Sequence, residues 1–303
     1  MREMVRAKAS DPRWTQKGGI YTAETFTVPG TSETYRVIAL DVRFSKDPWS
    51  VPKLQGDMLG EEQWTWLERQ LCGDPTPRVN LIVSGLQVLM EGRGAGEAWA
   101  NFPKSRERLF RLMKRCQVKA PLFLSGDVHM AEMFEARCGG KDVVAEVTSS
   151  GMTHSWGTRS PGWTGEILAL NLFLHALMEF CQQVMPWNYR SIRAEGADKR
   201  TGAYFLGLNF AEIDLDFTEQ RITVEVVNKD NRAVLKQSWA FKELDLDVNP
   251  VEDLDLYSCE PLRGRESLAH LVAARALLIS VMFVIPIALA VYVPFKIVSR
   301  LLA

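Results

Sequence analysis

The sequence has no Cys-x-x-Cys pair, no apolar run near its start and no excess of charge of either sign. Its five cysteines, Cys72, Cys116, Cys138, Cys181 and Cys259, are scattered. An odd count at irregular spacing excludes a zinc ribbon and argues against a complete disulfide framework, so they read as small buried or half-buried thiols. Thirty-six Lys and Arg balance 37 Asp and Glu to a net charge of -1. No global basic field is available to gather nucleic acid, and no nucleic-acid partner is expected. Residues 1–19, MREMVRAKASDPRWTQKGG, hold no apolar stretch of the length a secretory signal needs. No internal repeat occurs. What is there, 303 residues at 47% hydrophobic and 24% charged, is the composition of a folded chain with one large α/β domain or two smaller ones.

One long hydrophobic run stands out. Residues 276–295, ALLISVMFVIPIALAVYVPF, carry no charge, and at about 1.5 Å per residue they span about 30 Å, the thickness of a bilayer core. Arg275 and Lys296 bracket the run and Tyr292 suits an interface, so a single C-terminal transmembrane helix is predicted, with the lipid bilayer as partner. Arg263, Arg265 and Arg275 precede it and Lys296 and Arg300 follow it, which leaves the orientation open. Residues 243–260 hold seven acidic residues and no basic one, interrupted by Pro250, the pattern of a solvated linker. The expected organisation is a folded domain over 1–242, an acidic linker and juxtamembrane segment over 243–270, and the anchor with a short tail over 271–303.

Within the domain, short apolar runs alternate with helical periodicity, the pattern of a layered α/β fold. Strands are predicted at 35–40, 79–83, 121–124 and 143–147, each ending in polar residues, and helices at 61–71 and 104–116 with Trp64, Leu67, Leu71 and Leu109, Leu112, Met113, Cys116 on their inner faces. Residues 165–184 read as an apolar helix interrupted by Glu166, Asn171, His175 and Glu179, packed on the domain or lying at a membrane surface. Residues 211–217, 221–227 and 233–241 alternate as a β meander.

The most informative segment is LFLSGDVHMAEM at 122–133. A buried strand ends in a Gly-bearing turn that presents Asp127 and His129, and residues at i and i+2 can point to one side, where a carboxylate and an imidazole converge on a hard or borderline cation. A hydrogen-bonded structural pair is the other reading of these two residues alone. Around them stand LGEEQWTWLERQL at 59–71, SGLQVL at 84–89, WANFPKSRERLF at 99–110 and TSSGMTHSW at 148–156, with YRVIALDVRF at 35–44 and LNFAEIDLD at 208–216. In order and spacing this set resembles the PhoD-like, or alkaline phosphatase D, metallophosphatases, over roughly residues 18–241.

That resemblance implies a calcineurin-like metallophosphoesterase: a layered α/β sandwich of two mixed sheets flanked by helices, with a two-metal site at the strand ends and a phosphoester as substrate. It implies that Asp127 and His129 form the last metal-binding motif and that the cofactors are two divalent or trivalent metal ions, Fe, Zn, Mn or Ca. Gln87 stands where the wider superfamily often has a histidine ligand, and either touches metal or substrate or pins a loop. His154 positions phosphate, donates a proton to the leaving group or is a plain structural histidine. Asp41 and Arg43 form a supporting pair, a phosphate contact or a structural salt bridge; Asn101 and Glu132 follow as supporting candidates, and His175 and His270 are bystanders. The expected chemistry is hydrolysis by a metal-activated hydroxide, with Ser125 shaping its loop rather than serving as a nucleophile.

The sequence also departs from the family. The acidic motifs expected upstream of the GGIY segment at 18–21 do not occur in it, so the fold is expected to be incomplete at its N-terminus. Two readings follow: a membrane-anchored, metal-dependent phosphoester hydrolase, or a catalytically inactive, truncated, anchored binding module. The expected location is an endomembrane or the cell surface, with the side of the domain open. A transporter would require further spans.

Overall fold

The computed structural model describes residues 11, 15–16, 18–48, 56–73, 75–90, 97–138, 142–155, 190–191 and 204–246, together with 276, 277, 280 and 292. An eight-stranded sheet holds the chain together. It comprises β1 (Thr22–Thr27), β2 (Thr34–Leu40), β3 (Val79–Ser84), β4 (Pro121–Ser125), β5 (Ala131–Cys138), β6 (Asp142–Ser149), β7 (Arg190–Ser191) and β8 (Tyr204–Phe205). The spatial order is β1-β2-β3-β4-β6-β5-β7, with β8 also pairing β5. The pairs β2–β3, β3–β4 and β4–β6 are parallel, whereas β1 and β5 run antiparallel to their neighbours.

The parallel centre follows from composition. VNLIVS in β3 is buried at five of its six positions, as expected of a strand covered on both faces. One cover is helical: α1 (Glu61–Leu71) and α2 (Pro103–Arg115). Helix α1 opens with Glu61 and Glu62 and closes near Arg69. Helix α2 opens on Pro103 and closes on Lys114 and Arg115, so both ends of α1 and the C-terminal end of α2 suit the helix dipole. Trp64 and Leu67 of α1 and Leu109 and Phe110 of α2 pack with Ile38, Ile82 and Phe123 of the sheet. Asp57 ties the two helices together. Its carboxylate accepts hydrogen bonds from the Ser105 hydroxyl at 2.6 Å, the Trp64 indole at 2.8 Å and the Gly60 amide at 2.7 Å. Burial alone pushes this carboxyl up, but those bonds outweigh it and hold the group below the usual carboxylate range.

The opposite cover is a second sheet, β9 (Asn209–Asp216), β10 (Arg221–Asn228) and β11 (Ala233–Ala240), antiparallel in the order β11-β10-β9. Ile222, Val224, Val226 and Trp239 pack onto Leu81, Leu122, Met133 and Val147. The architecture is therefore a mixed-sheet α/β layer structure, and the expected meander is present.

Three expectations need correction. Cys72 and Cys116 are not thiols: they form a disulfide with Cα atoms 4.6 Å apart, because α1 and α2 end side by side. The domain does not stop at 242. Phe241–Leu244 form a short helix, α3. Leu244 and Leu246 are buried, and the Asp245 carboxylate accepts from the Arg78 guanidinium at 2.8 Å and the Ala120 amide at 3.0 Å, so the first acidic residues of the supposed linker are structural. The strand after the 122–133 turn, β5, went unread because Glu132, Glu135 and Arg137 break its apolar pattern. The helix expected at 165–184 and residues 247–260 lie outside the described residues. Among the described residues no helix is long and apolar enough to cross a membrane, and of the run 276–295 only four residues are described.

Candidate functional site

The parallel strands end level with one another. Leu40 lies beside Ser84, Ser84 beside Ser125 and Ser125 beside Thr148. The chain leaves that row four times: after β2 come Asp41 and Arg43, after β3 Gln87, after β4 Asp127 and His129, and after β6 His154. Loops outside the carboxyl ends of parallel strands are where α/β sheets place their ligands. Residues that stand far apart in sequence thus share one edge of the sheet.

The pairing within this edge differs from the expectation. Asp41 and Arg43 do not form a side-chain salt bridge. The Asp41 carboxylate accepts the backbone N–H groups of Arg43 and Phe44 at 2.9 Å each and of Ile20 at 2.9 Å, so it shapes its own turn, as Asp does locally. Gly19 makes the last of these contacts possible: its φ is +119°, and a Cβ there would fall 2.6 Å from the Asp41 carboxylate. Released from Asp41, the Arg43 guanidinium donates to the Asp127 carboxylate at 3.0 Å and pairs with Glu97. Lys46 joins Glu97 at 2.9 Å; burial first, and then the Arg43 charge, lower its pKa below the usual lysine range.

Asp127 and His129 both take positive φ, 72° and 54°, a conformation that costs non-glycine residues energy and clusters at functional turns. The His129 ring lies against that of His154 at 4.0 Å between centroids, edge to face, and the Thr153 hydroxyl is 3.1 Å from His154 Nδ1. Gly151 permits the turn that brings His154 here, since a Cβ at that position would lie 2.1 Å from the Asn209 amide nitrogen. The structure thus pairs Arg43 with Asp127 and His129 with His154 along the same edge. Asn101 closes a short 3-10 turn, Trp99–Asn101, its N–H donating to Ala98 at 3.0 Å.

Gln87 and Glu132 lie deeper. Gln87 is fully buried; its amide nitrogen donates to Glu132 at 3.1 Å and to the Thr148 hydroxyl at 2.9 Å. Thr148 meets Ser125 at 2.8 Å. This layer also contains Glu146, which sequence reading missed. It is fully buried and accepts the backbone N–H groups of Val88 at 2.8 Å and Leu89 at 2.6 Å. Desolvation pushes its carboxyl up to about 7, against the hydrogen bonds from Ser125, Val88 and Leu89 and with help from the Glu132 charge. Within the described residues the Gln87 amide oxygen has no hydrogen-bond partner. The one signal available in sequence was an acidic residue inside an otherwise apolar strand, VVAEV at 143–147.

Residues 32–167 match the family model for PhoD-like phosphatases. The PhoD-like resemblance holds. Three solved structures are similar. PhoD itself has 12% identity and a TM-score of 0.46, over 86% of this chain and 49% of that one. GAP50, described as the anchor in the inner membrane complex of Plasmodium, has 14% identity and a TM-score of 0.41, over 73% of this chain and 55% of that one. The purple acid phosphatase PPD1 from yellow lupin (Lupinus luteus) seeds has 15% identity and a TM-score of 0.39, over 69% of this chain and 32% of that one. The chain thus spans about half the length of the PhoD structure, 49%. No curated protein matches the chain.

The PhoD-like segment, 32–167, carries all of the candidate residues named above. They do not by themselves make a metal centre. Among the described residues no group of three or more His, Cys, Asp and Glu is placed to hold a metal ion, and a two-metal site needs several such donors for each cation. Asp127 already faces the Arg43 guanidinium.

Proposed function

We propose that the protein is a phosphoester hydrolase of the PhoD-like type, working at the edge formed by the loops after β2, β3, β4 and β6. The observation that carries this reading is the convergence at that edge of Arg43, Asp127, His129 and His154, all within the segment matched by the family model. Asp127 and His129 are two donors of a metal centre that the described residues do not complete. The planar guanidinium of Arg43, already turned toward this edge, is suited to pair with two oxygens of a phosphoryl group. The imidazole of His154, against His129, is suited to hand a proton to a departing alkoxide. Glu146, Thr148 and Ser125 lie one layer beneath, where they fix the loops rather than meet substrate. We further propose that residues 276–295 anchor the protein in a bilayer, on the strength of their uncharged length.

The full chain, assayed on an aryl phosphate monoester and diester with Mn, Zn, Fe or Ca supplied, should hydrolyse at least one of them and lose that activity in Asp127→Asn. Turnover unchanged by the substitution would overturn the assignment.

The second reading, an inactive binding module, is favoured by the lack of a three-donor group among the described residues. Stoichiometric metal in the purified chain, read by elemental analysis, would count decisively against it.

A further inference from the structure

Two exposed ion pairs set the register of α1 against α2. Glu61 meets Arg108 at 2.5 Å and Glu68 meets Arg115 at 2.6 Å; the partners advance by seven residues on both helices, so the helices run parallel and in step. The Arg108 guanidinium also lies over the Trp64 ring at 4.6 Å. Each helix then ends on a cysteine. The Cys72 N–H closes α1 on Glu68 at 2.8 Å and the Cys116 N–H closes α2 on Leu112 at 3.0 Å. Contacts that involve neither sulfur therefore bring the two Cα atoms to 4.6 Å, within the span a disulfide bridges. Cys72 is exposed and Cys116 half-buried, so the pair is open to thiol exchange with its surroundings.

From this exposed bond and the helix register that sets it we infer that the domain resides in an oxidising compartment, the secretory lumen or the extracytoplasmic space. An exposed disulfide at a helix end is reduced by the thiol pool of a cytosol and persists outside it. Its formation balances as an exchange. The two thiols lose two protons and two electrons to a disulfide oxidant, a protein disulfide or glutathione disulfide, which leaves as two thiols. With the run 276–295 as a membrane span, the same inference puts Lys296 and Arg300 on the cytosolic side. The inference rests on the helix register and is independent of the hydrolase reading.

The test uses the full chain in its native cells. Lysis in excess N-ethylmaleimide, digestion with trypsin and mass spectrometry without reduction should yield peptide 70–78 joined to peptide 116–119, and Cys72→Ser should leave Cys116 carrying the maleimide. Sealed vesicles from the same cells with their cytosolic face outward should protect the domain from added protease until detergent is present. Recovery of both cysteines as separate maleimide adducts, or digestion of the domain in sealed vesicles, would overturn the inference. Neither readout depends on catalysis, so an inactive protein passes or fails on the same terms as an active one.

Discussion

The face of the large sheet under β9, β10 and β11 buries Leu81, Leu122, Met133 and Val147 against Ile222, Val224 and Trp239, with Glu135 the polar exception, reached by the Trp239 indole at 3.4 Å. The face under α1 and α2 buries more apolar side chains, but also Gln87, Arg106, Glu132, Glu146 and Thr148. A buried polar group costs about 1–3 kcal/mol unless it is hydrogen-bonded. A fold that gathers Gln87, Glu132, Glu146 and Thr148 on one face, near the carboxyl ends of the parallel strands, spends stability there to fix loops. The contrast separates a face that holds the molecule together from one that positions a site.

The largest effect that sharpens this contrast is expected on the apolar face. Leu122→Ala should cost about 2–5 kcal/mol by the cavity it leaves, measured by urea denaturation, and the cost should be equal at pH 5 and pH 7.5. A pH-dependent cost would mean that the two faces are coupled.

On the helical face, replacing Cys72 and Cys116 together by serine should cost about 2–4 kcal/mol, since the bond closes a separation of 44 residues. A loss below about 1 kcal/mol would show that the ion pairs and Asp57 already hold the two helices in place.

Glu146 supplies the pH signature. Its carboxyl is raised in the fold from 4.5 to about 7, so the folded state favours the protonated form. Its contribution is fully present below pH 4.5 and is lost as pH rises through about 7. From this group stability should fall by up to about 3 kcal/mol over that window. Glu146→Gln should remove that slope, read as the urea midpoint against pH. A wild-type protein whose midpoint is flat between pH 4.5 and 7 would remove Glu146 as its source.

The smallest stability effect belongs to the edge itself. Arg43→Ala breaks an exposed pair with Asp127 and should cost no more than about 1 kcal/mol, while lowering turnover on an aryl phosphate. A larger loss of stability than of activity would make Arg43 a structural residue.

Much of this arrangement was legible beforehand, and the reasons are local. The strands at 35–40, 79–83 and 121–124 announce themselves as near-continuous apolar runs, broken only by Arg36 and Asn80, as parallel strands do, and helix 61–71 because its Trp64, Leu67 and Leu71 repeat at helical spacing. The motif loops were readable as polar breaks at strand ends. Partner choice was not. Nothing in DVR at 41–43 says that Asp41 will satisfy three backbone amides and leave Arg43 to reach Asp127, 84 residues on. Glu146 escaped notice because a single acid in an apolar run looks like a surface residue until the loop at Val88 and Leu89 folds over it. The Cys72–Cys116 bond needed the register of two helices, which no spacing within either one encodes.

The central claim, that the edge carrying Arg43, Asp127, His129 and His154 hydrolyses a phosphoester, is tested most directly by one comparison. The full chain and its Asp127→Asn and His129→Ala variants would be assayed on bis(p-nitrophenyl) phosphate, with their urea midpoints measured alongside. Both variants should lose turnover by on the order of 100-fold or more, with midpoints within about 1 kcal/mol of the parent. Equal turnover in all three proteins would contradict the claim.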